Sequence, residues 1–287
     1  MSKILVTGVG GPAGRNIAQL LLARGHAVIG TDMRNVPLPG VTFYLVPAAH
    51  APSFLDRLLD IAGREQVDLV IPTVTEELPI AAAHWSQRSD VPAMIGPYEA
   101  VYTANDKLLT AEKLAQSGVA VPRYCLPSQI SSPADIGRLL GWPCLSKPRI
   151  GRGGRGVTVW QEEEYTRLRA LDDRFILQEF LPGADYAPNV YLGRDGQTTV
   201  IVLEKTKLRA GIVGNAAEVQ RVTAPDVAAL AVAAARALGL AGPLDIDIRR
   251  RGDGSPAVLE INARFGANIA HAPEVLDAAL AEYGISR

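Results

Sequence analysis

Two short segments rich in acidic and amide side chains flank the dipeptide Asp253-Gly254, which favours a two-residue turn between antiparallel strands. With that turn, strand pairing places Asp247 directly across from Glu260, and Asp245 across from Asn262. Because side chains alternate along a strand, these four side chains lie on one face of the predicted hairpin. The opposite face then carries Leu244, Ile246, Ile248, Leu259 and Ile261. The hairpin is therefore predicted to have one core face and one face crowded with carboxylates.

Carboxylates that face each other across a hairpin repel, unless a cation lies between them. Asp247, Glu260 and Asn262 offer only oxygen ligands, a set that suits a hard divalent ion such as Mg²⁺, with Mn²⁺ as the alternative. Such an ion usually shares its coordination shell with water and substrate phosphates. The second interpretation is a solvated hairpin face whose charge is offset by Arg249 and Arg264. The hairpin alone leaves both interpretations open.

A dense run of glycines, GRGGRG at residues 151–156, follows a strand-like segment that ends near Lys147. We call residues 151–156 the glycine loop. Without Cβ atoms, such a loop can bring backbone N–H groups against phosphate oxygens. It is not a Walker A loop, since Lys147 precedes the glycines and no GK[ST] follows. The alternative is a mobile hairpin that binds no ligand.

A third segment, FILQEFLPGADY at residues 175–186, is an apolar strand that runs into a Pro-Gly turn. Such a connector can leave backbone groups free to contact the edge of an adenine ring. On its own this segment would not identify a site.

The elements that must position these residues alternate between strands and helices over roughly the first hundred residues. Strands are predicted over residues 3–8, 27–32 and 67–73, and helices over residues 16–25, 53–65 and 76–85. This alternation predicts a doubly wound α/β domain with a parallel sheet. A boundary is expected near Gly96-Pro97, and a helix-rich stretch begins at Tyr98. Short strands, turns and an Ala-rich helix from Pro225 follow, so the second part is predicted to be α+β.

A rival interpretation comes from TGVGGPAG at residues 7–14, which matches the phosphate-binding loop of short-chain reductases, with Asp32 in the position of a ribose-binding acid. Those reductases also need a Tyr followed by a Lys with three residues between them, and no YxxxK occurs in the sequence. The loop is therefore interpreted as a tight strand-to-helix crossover, and substrate binding is the less favoured alternative. Glu76 and Glu77, after the third predicted strand, could contact an amine, but acids at a helix start are the simpler explanation.

The composition excludes several classes of function. The 287 residues are 48% hydrophobic with a net charge of -1, so neither a disordered chain nor a nucleic-acid-binding surface is expected. The two cysteines and four histidines have no zinc-ligand spacing. No signal peptide or membrane segment is evident, so we expect a cytoplasmic protein without membrane contact.

The order of these motifs, Lys107 in TANDK, Lys147 with the glycine loop, QEFLPGADY, and the acidic hairpin, resembles the ATP-grasp superfamily. The similarity is to the branch of the carbamoyl-phosphate synthase large chain and small amino-acid ligases, and it extends to KILVTGVGGPAGRNIAQLL and VDLVIPTVTEEL at the N-terminal side. It implies a Rossmann-like domain over residues 1–97, followed by an ATP-grasp domain over 98–287. The latter would comprise a lid subdomain at about 115–180 and a C-terminal subdomain at about 181–287.

The resemblance also implies roles for individual residues. It assigns ATP phosphates to Lys107 and Lys147 beneath the glycine loop, with Asp185 on the ribose. The full nucleotide set is Lys107, Lys147, Gly151, Gly153, Gly154, Arg155, Gly156, Gln178, Glu179, Phe180, Leu181 and Asp185. Within it, the Gln178 side chain and the backbone of Glu179 and Leu181 would contact adenine. Asp247, Glu260 and Asn262 match the metal ligands, and Arg264 matches a basic residue that faces the transferred phosphate.

One more basic residue is expected near the acyl phosphate, and Arg209 is chosen over Lys205 and Lys207. The implied activity is that of an ATP- and Mg²⁺-dependent ligase that joins a small carboxylate, of amino-acid type, to an amine. A homodimer is a further expectation. The alternatives are a nucleotide-binding module without turnover and an enzyme that forms carboxyphosphate.

Overall fold

The computed structural model describes residues 1–87, 91–209, 214 and 216–286. Its N-terminal part is a parallel sheet in the order β3-β2-β1-β4, as the alternation of elements predicts. The strands are β1 Lys3–Thr7, β2 Ala27–Asp32, β3 Val41–Leu45 and β4 Leu69–Ile71. The helices are α1 Pro12–Ala23, α2 Phe54–Glu65 and α3 Leu78–Gln87. Among the four strands of this sheet, β3 is the one that was not predicted from the sequence. It is an edge strand, and buried and exposed residues do not alternate regularly along it.

Two helices, α4 Tyr98–Asn105 and α5 Lys107–Gln116, follow the parallel sheet and confirm the helix-rich stretch predicted from Tyr98. The single residue between them, Asp106, has an extended backbone conformation. Its carboxylate caps α5 by accepting hydrogen bonds from the backbone N–H groups of Leu108, at 2.9 Å, and Leu109, at 3.4 Å. This cap fixes where α5, and with it Lys107, begins.

A small antiparallel sheet in the order β5-β8-β6-β7 follows. Its strands are β5 Tyr124–Cys125, β6 Cys144–Pro148, β7 Thr158–Trp160 and β8 Phe175–Glu179, with helices α6 Pro133–Leu139 and α7 Tyr165–Leu168. It has its own apolar core, in which both cysteines are buried together with Ile136, Leu140 and Trp160. The glycine loop connects β6 to β7 and lies at the end of this sheet.

The remaining strands form a larger antiparallel sheet in the order β11-β10-β14-β9-β12-β13, with β15 paired to β14. They span β9 Asp185–Tyr186, β10 Asn189–Leu192, β11 Thr198–Ile201, β12 Leu203–Leu208, β13 Ala216–Arg221, β14 Gly242–Arg250 and β15 Pro256–Asn262. The helices are α8 Pro225–Ala237 and α9 Pro273–Glu282. The Ala-rich helix expected from Pro225 is thus confirmed.

The parallel sheet and the larger antiparallel sheet share apolar cores. Ile4 and Ile17 of the N-terminal part pack in one buried cluster with Val275 and Leu276 of α9. An ion pair of 2.7 Å between Arg24 and Asp277 joins the same two regions. The small sheet has a core cluster of its own, and Ile176 of β8 packs it against Leu108 and Ala111 of α5.

The fold class predicted from the sequence is therefore confirmed, while the domain limits at 97, 115 and 180 remain predictions. None of the helices in the described ranges has both the length and the apolar character required to cross a bilayer.

Candidate functional site

The acidic hairpin has the predicted pairing where the chemistry lies. Asp247 pairs with Glu260 and Asp245 with Asn262, so these side chains share one face of β14 and β15. Nearer the turn the register shifts, because Leu259 is an extra residue in β15 between the pairs Asp247/Glu260 and Ile248/Val258. Such a bulge redirects the bulged side chain. Leu259 accordingly lines the cleft described below, and the prediction that it faces the core is wrong.

The hairpin turn is also longer than predicted. The Arg251 N–H donates to the Ser255 carbonyl oxygen at 2.8 Å, so the loop contains Gly252, Asp253 and Gly254 rather than two residues. The extra turn residue shifts the pairing by one position, and the bulge at Leu259 shifts it back. The predicted acidic pairs are correct because these two departures compensate each other.

Lysines lie between the carboxylates of this face. The Lys205 ammonium lies 2.5 Å from Asp247 and 3.1 Å from Asp185, and its side chain is only 7% exposed. Lys107 lies 3.2 Å from Glu260 on the other strand of the hairpin. In this structure, lysine side chains therefore neutralise the carboxylates for which the sequence analysis predicted a metal ion. No cluster of three or more His, Cys, Asp or Glu residues suited to a metal occurs in the described residues.

The two paired carboxyl groups differ in proton affinity. Burial raises the pKa of Asp247, to about 7, against the opposing effect of Lys205. Burial would also raise the pKa of Glu260, but Lys107 and Lys147 outweigh it and hold that pKa low, at about 2. Burial lowers the pKa of Lys147, with the attraction of Glu260 opposing it. Glu260 therefore holds a proton less tightly than Asp247 does.

A cleft opens between the small sheet and the acidic face of the larger one. Eleven of the residues predicted for a nucleotide or a metal line it: Lys107, Lys147, Gly151, Gly154, Arg155, Gln178, Glu179, Leu181, Asp185, Asp247 and Glu260. The fold thus brings together the start of α5, the ends of β6 and β8, the glycine loop and the hairpin. Lys205, Arg249 and Leu259 also line the cleft, although the sequence analysis did not assign them to it.

The predicted residues that do not line this cleft are Gly153, Gly156, Phe180, Asn262, Arg264 and Arg209. Phe180 lies beside it, with the Arg249 guanidinium 5.4 Å from its ring centroid. Asn262 instead lines a smaller adjoining recess. Arg209 is exposed and donates from Nε to the Ala216 carbonyl oxygen at 3.2 Å, so Lys205 is the basic residue of that segment which reaches the cleft.

Arg264 connects the hairpin to the N-terminal part. Its Nη2 donates to the Asn262 Oδ1 at 3.1 Å and its Nε to the Thr75 hydroxyl at 3.3 Å, while Asp245 lies 3.5 Å from Nη1. These contacts hold the guanidinium next to the acidic face. They also fix the amide of Asn262, which was predicted as a metal ligand.

Glycine is required at two positions of the glycine loop. Gly154 and Gly156 have φ values of 71° and 73°, in the left-handed region that favours glycine. A Cβ atom on Gly154 would lie 2.9 Å from the Gly214 Cα, and one on Gly156 would lie 2.8 Å from the Pro148 Cγ. At Gly154 the loop therefore approaches Gly214 more closely than any other residue type would allow.

Gln178 and Glu179, at the end of β8, differ in how their polar groups are satisfied. Gln178 is 1% exposed, and within the described chain its Oε1 has no hydrogen-bond partner. An unpaired buried acceptor costs about 1–3 kcal/mol, so a donor from a ligand or water is expected there. The Glu179 N–H, in contrast, donates to the Arg123 carbonyl oxygen at 2.9 Å. The Glu179 side chain pairs with Arg123 at 2.5 Å and Arg251 at 3.2 Å, so its carboxylate is also engaged within the chain.

A pair that the sequence analysis missed joins the segments that carry Lys107 and Lys147. Arg149 contacts the Asp106 carboxylate through Nη2 at 2.7 Å and through Nε at 3.2 Å. The Arg149 carbonyl oxygen accepts a hydrogen bond from the Lys107 N–H at 3.0 Å. Lys147 lies on β6, two residues before Arg149. These contacts therefore set the separation between Lys107 and Lys147. TANDK and KPR lie far apart in the sequence, and no local signal pairs them.

The loop of residues 7–14 is a tight crossover, as the sequence analysis favoured. Asp32 accepts a hydrogen bond from the Gly10 N–H at 2.9 Å, so this carboxylate closes the loop. A Cβ atom on Gly14 would lie 2.4 Å from the Gly8 carbonyl oxygen. Close packing of the helix against the strand therefore explains why residue 14 is a glycine. Both observations support a structural role for the loop.

Glu76 and Glu77 have separate roles. Glu77 is buried and accepts hydrogen bonds from the Thr7 hydroxyl and, at 3.0 Å each, from the backbone N–H groups of Thr73 and Val74. Burial raises the pKa of Glu77 to about 7. Glu76 instead lies 2.8 Å from Arg152 in the glycine loop. Glu77 thus orders the N-terminal part, and Glu76 contacts the glycine loop beside the cleft.

A family model described as an ATP-grasp domain matches residues 104–268. The chain belongs to the ATP-grasp family. It is 30% identical over 271 residues to a probable alpha-L-glutamate ligase of Stenotrophomonas maltophilia, a match that covers 88% of this chain and 86% of that protein. The carbamoyl phosphate synthase large chain of Mycobacterium tuberculosis is 28% identical over 103 residues, which are 36% of this chain and only 9% of that protein.

Solved structures agree on the fold. The N5-carboxyaminoimidazole ribonucleotide synthetase of Thermotoga maritima matches with a TM-score of 0.72 at 19% identity, covering 100% of this chain and 77% of that one. An L-amino acid ligase of Bacillus licheniformis matches with a TM-score of 0.69 at 20% identity, covering 94% of this chain and 68% of that one. The family and fold expected from the order of the motifs are thereby confirmed.

Proposed function

We propose that this ATP-grasp protein is an ATP-dependent carboxylate–amine ligase that acts on small, amino-acid-like substrates. The observation that carries the proposal is the cleft itself, where Lys107, Lys147 and Lys205 meet the carboxylates of Asp247 and Glu260. Three cations beside two facing carboxylates can bind a polyphosphate and a divalent ion together. A hydride-transfer site would need neither feature.

The residues present fit a nucleotide and a metal ion. The unpaired, buried Oε1 of Gln178 suits a donor such as an exocyclic amine of a base. Asp247 and Glu260 would hold Mg²⁺, or Mn²⁺, in place of their present contacts with Lys205 and Lys107. Asn262 would join them by exchanging the hydrogen bond that its Oδ1 accepts from Arg264. When bound, the ion supplies positive charge against the phosphate oxygens. A structure of an N5-carboxyaminoimidazole synthetase from Staphylococcus aureus complexed with ADP, with a TM-score of 0.73 at 17% identity, supports a nucleotide in this fold.

The reaction proposed is transfer of the ATP γ-phosphoryl group to a carboxylate oxygen, followed by attack of an amine that expels phosphate and forms a C–N bond. In the first step Lys107 and Lys147 neutralise phosphate charge, and the glycine loop excludes water from the cleft. Lys205, rather than Arg209, is the residue we assign to the acyl-phosphate oxygens, because it is buried in the cleft lining. Positioning and charge neutralisation are the chain's main contributions.

Formation of carboxyphosphate from bicarbonate is a second candidate. It is favoured by the structural likeness to a biotin carboxylase domain dimer solved with MgADP and bicarbonate, which has a TM-score of 0.69 at 15% identity. The same likeness supports a homodimer as a proposal for this chain. Light scattering on the purified protein tests the oligomeric state.

The deciding experiment is ADP release from ATP and Mg²⁺, measured over pairs of amino acids with and without bicarbonate. The ligase proposal expects release that depends on both an acid and an amine and is independent of bicarbonate. Release only with bicarbonate would favour carboxyphosphate, and ATP binding without release would favour a nucleotide-binding module. Lys147→Met should abolish release, whereas Lys207→Met, which removes an exposed lysine paired to Glu218, should leave it unchanged.

Thermal shifts with the nucleotide alone provide an independent test. ATP with Mg²⁺ at a hundred times its dissociation constant should stabilise the fold by about 2.7 kcal/mol, and NADPH should have no effect. A shift with NADPH and none with ATP would contradict the ligase proposal.

A further inference from the structure

Each of the two facing carboxylates of the acidic hairpin already holds a cation that belongs to the chain. The Lys205 ammonium lies 2.5 Å from Asp247, and the Lys107 ammonium lies 3.2 Å from Glu260. The two lysine side chains are only 7% and 10% exposed, so little water can replace either partner. Opening a buried ion pair is costly unless another charge takes the place of the lost one. The two lysines therefore occupy the same oxygens that the proposed function assigns to a divalent ion.

Each lysine also has a second partner outside the facing pair of carboxylates. Lys205 lies 3.1 Å from Asp185, and the Lys107 Nζ donates to the Gly151 carbonyl oxygen at 3.0 Å. A lysine ammonium has three donor hydrogens and sits on a flexible four-carbon stem. Each ammonium can therefore exchange its hairpin carboxylate for a phosphate oxygen while it keeps its second partner.

The balance of charge in the free cleft opposes a metal ion that arrives alone. A divalent ion that approached Asp247 and Glu260 would meet an ammonium group at each of them, and cations repel strongly where water is scarce. A polyphosphate, in contrast, attracts both lysines through charge-assisted hydrogen bonds. The two carboxylates become available to a metal ion once the lysines have moved to phosphate oxygens.

From these contacts we propose that Lys205 and Lys107 are internal counterions that close the metal site of the free protein, and that nucleotide phosphates open it by drawing the lysines away. The divalent ion then enters with the nucleotide or after it, and the free protein has little affinity for the ion. This inference rests on the nucleotide and metal parts of the proposed function and adds an order of binding to them. It also gives Lys205 two successive partners, Asp247 in the free protein and phosphate oxygens in the complex.

Binding of Mn²⁺ to the nucleotide-free protein, followed through the electron paramagnetic resonance signal of the unbound ion, tests the inference without turnover. Lys205→Met, in which Asp247 loses its counterion, should bind Mn²⁺ at least tenfold more tightly than the wild type. Lys207→Met removes an exposed lysine of the same strand, paired with Glu218, and is the matched control, which should bind Mn²⁺ as weakly as the wild type. Equal Mn²⁺ affinities of the wild type and Lys205→Met would overturn the inference.

A charge-neutral variant separates occupation of the carboxylate from the net charge of the cleft. Lys205→Met combined with Asp185→Asn removes one cation and one anion and leaves no buried Asp185 carboxylate without its lysine, so this variant decides if Lys205→Met alone fails to fold. It should also bind Mn²⁺ at least tenfold more tightly than the wild type, because Asp247 is free. If its Mn²⁺ affinity equals that of the wild type, contact with Lys205 does not close the site and the inference is wrong.

Failure of the proposed function would give a different result. Absence of ADP release with every substrate pair would count against the ligase, whereas the Mn²⁺ affinities of the nucleotide-free proteins would still decide the role of the lysines.

Discussion

The Asp106–Arg149 pair is expected to set the positions of Lys107 and Lys147, and its removal can be tested without losing the helix cap. Asp106→Asn removes the charge that pairs with Arg149 but keeps an oxygen that caps α5, since Asn is as good an N-cap as Asp. Arg149→Met removes the guanidinium and keeps much of its apolar stem. The two variants and their combination therefore isolate the interaction between the side chains.

The expected magnitude follows from the exposure of the pair. The Arg149 side chain is 28% exposed and that of Asp106 is 12% exposed, so the pair lies between a surface ion pair and a buried one. Surface pairs contribute about 0.2–1 kcal/mol, and hydrogen bonds to charged groups about 1.5–3 kcal/mol. We expect a coupling free energy of about 1–2 kcal/mol in the double-mutant cycle.

The effect on turnover should exceed the effect on stability. A displacement of about 1 Å between reacting groups can lower a rate about a hundredfold, and the pair fixes Lys107 through the 3.0 Å hydrogen bond to the Arg149 carbonyl oxygen. We expect kcat/KM for ADP release to fall between about tenfold and a hundredfold in each single variant, with little further loss in the double variant.

Urea unfolding and steady-state ADP release on the four proteins provide the measurements. Glu164→Gln, which breaks a pair with Arg167 of α7 at the surface, is the control and should change neither quantity appreciably. A coupling energy below about 0.3 kcal/mol, together with turnover equal to that of the control, would refute the positioning argument.

The remaining predictions concern the hairpin, the N-terminal part and the glycine loop. Asp247→Asn should leave the urea midpoint nearly unchanged, since Lys205 keeps Asp185 as a partner, while ADP release falls about a hundredfold; near-wild-type release would refute the metal assignment. Burial raises the pKa of Glu77 to about 7 from 4.5, so between these pH values the folded state binds a proton that the unfolded state does not. The contribution of Glu77 to the free energy of unfolding therefore falls as pH rises from 4.5 to about 7. Glu77→Gln should therefore raise the free energy of unfolding at pH 8 by about 1–3 kcal/mol and not below pH 4, and urea titrations at both pH values check this. Gly154→Ala should weaken ATP binding at least tenfold in a calorimetric titration, whereas Gly196→Ala, with φ of 85° and no atom within 4 Å of the added Cβ, introduces comparable backbone strain and should leave ATP affinity unchanged.

Local periodicity was sufficient for much of the fold. The alternation of apolar strands with helices predicts the parallel sheet, and the period of two in residues 244–262 predicts that Asp247 and Glu260 share a face. These properties depend on residues close together in the chain, whose side-chain directions follow from backbone geometry alone. Even so, the pairing came out correctly only because the longer turn and the bulge at Leu259 offset each other.

Only the tertiary structure decided which charged groups meet. It placed Lys205 rather than Arg209 at the acidic face and paired Asp106 with Arg149, and it brought Asn105 and Leu78 to the lining of one recess. Each of these contacts joins segments tens of residues apart, or depends on a bulge such as the one within Lys205–Lys207 of β12. The order of the motifs along the chain was sufficient to predict the family, and with it the expected type of chemistry. The distances between charges depend on how separate sheets pack, and no local pattern in the sequence records that packing.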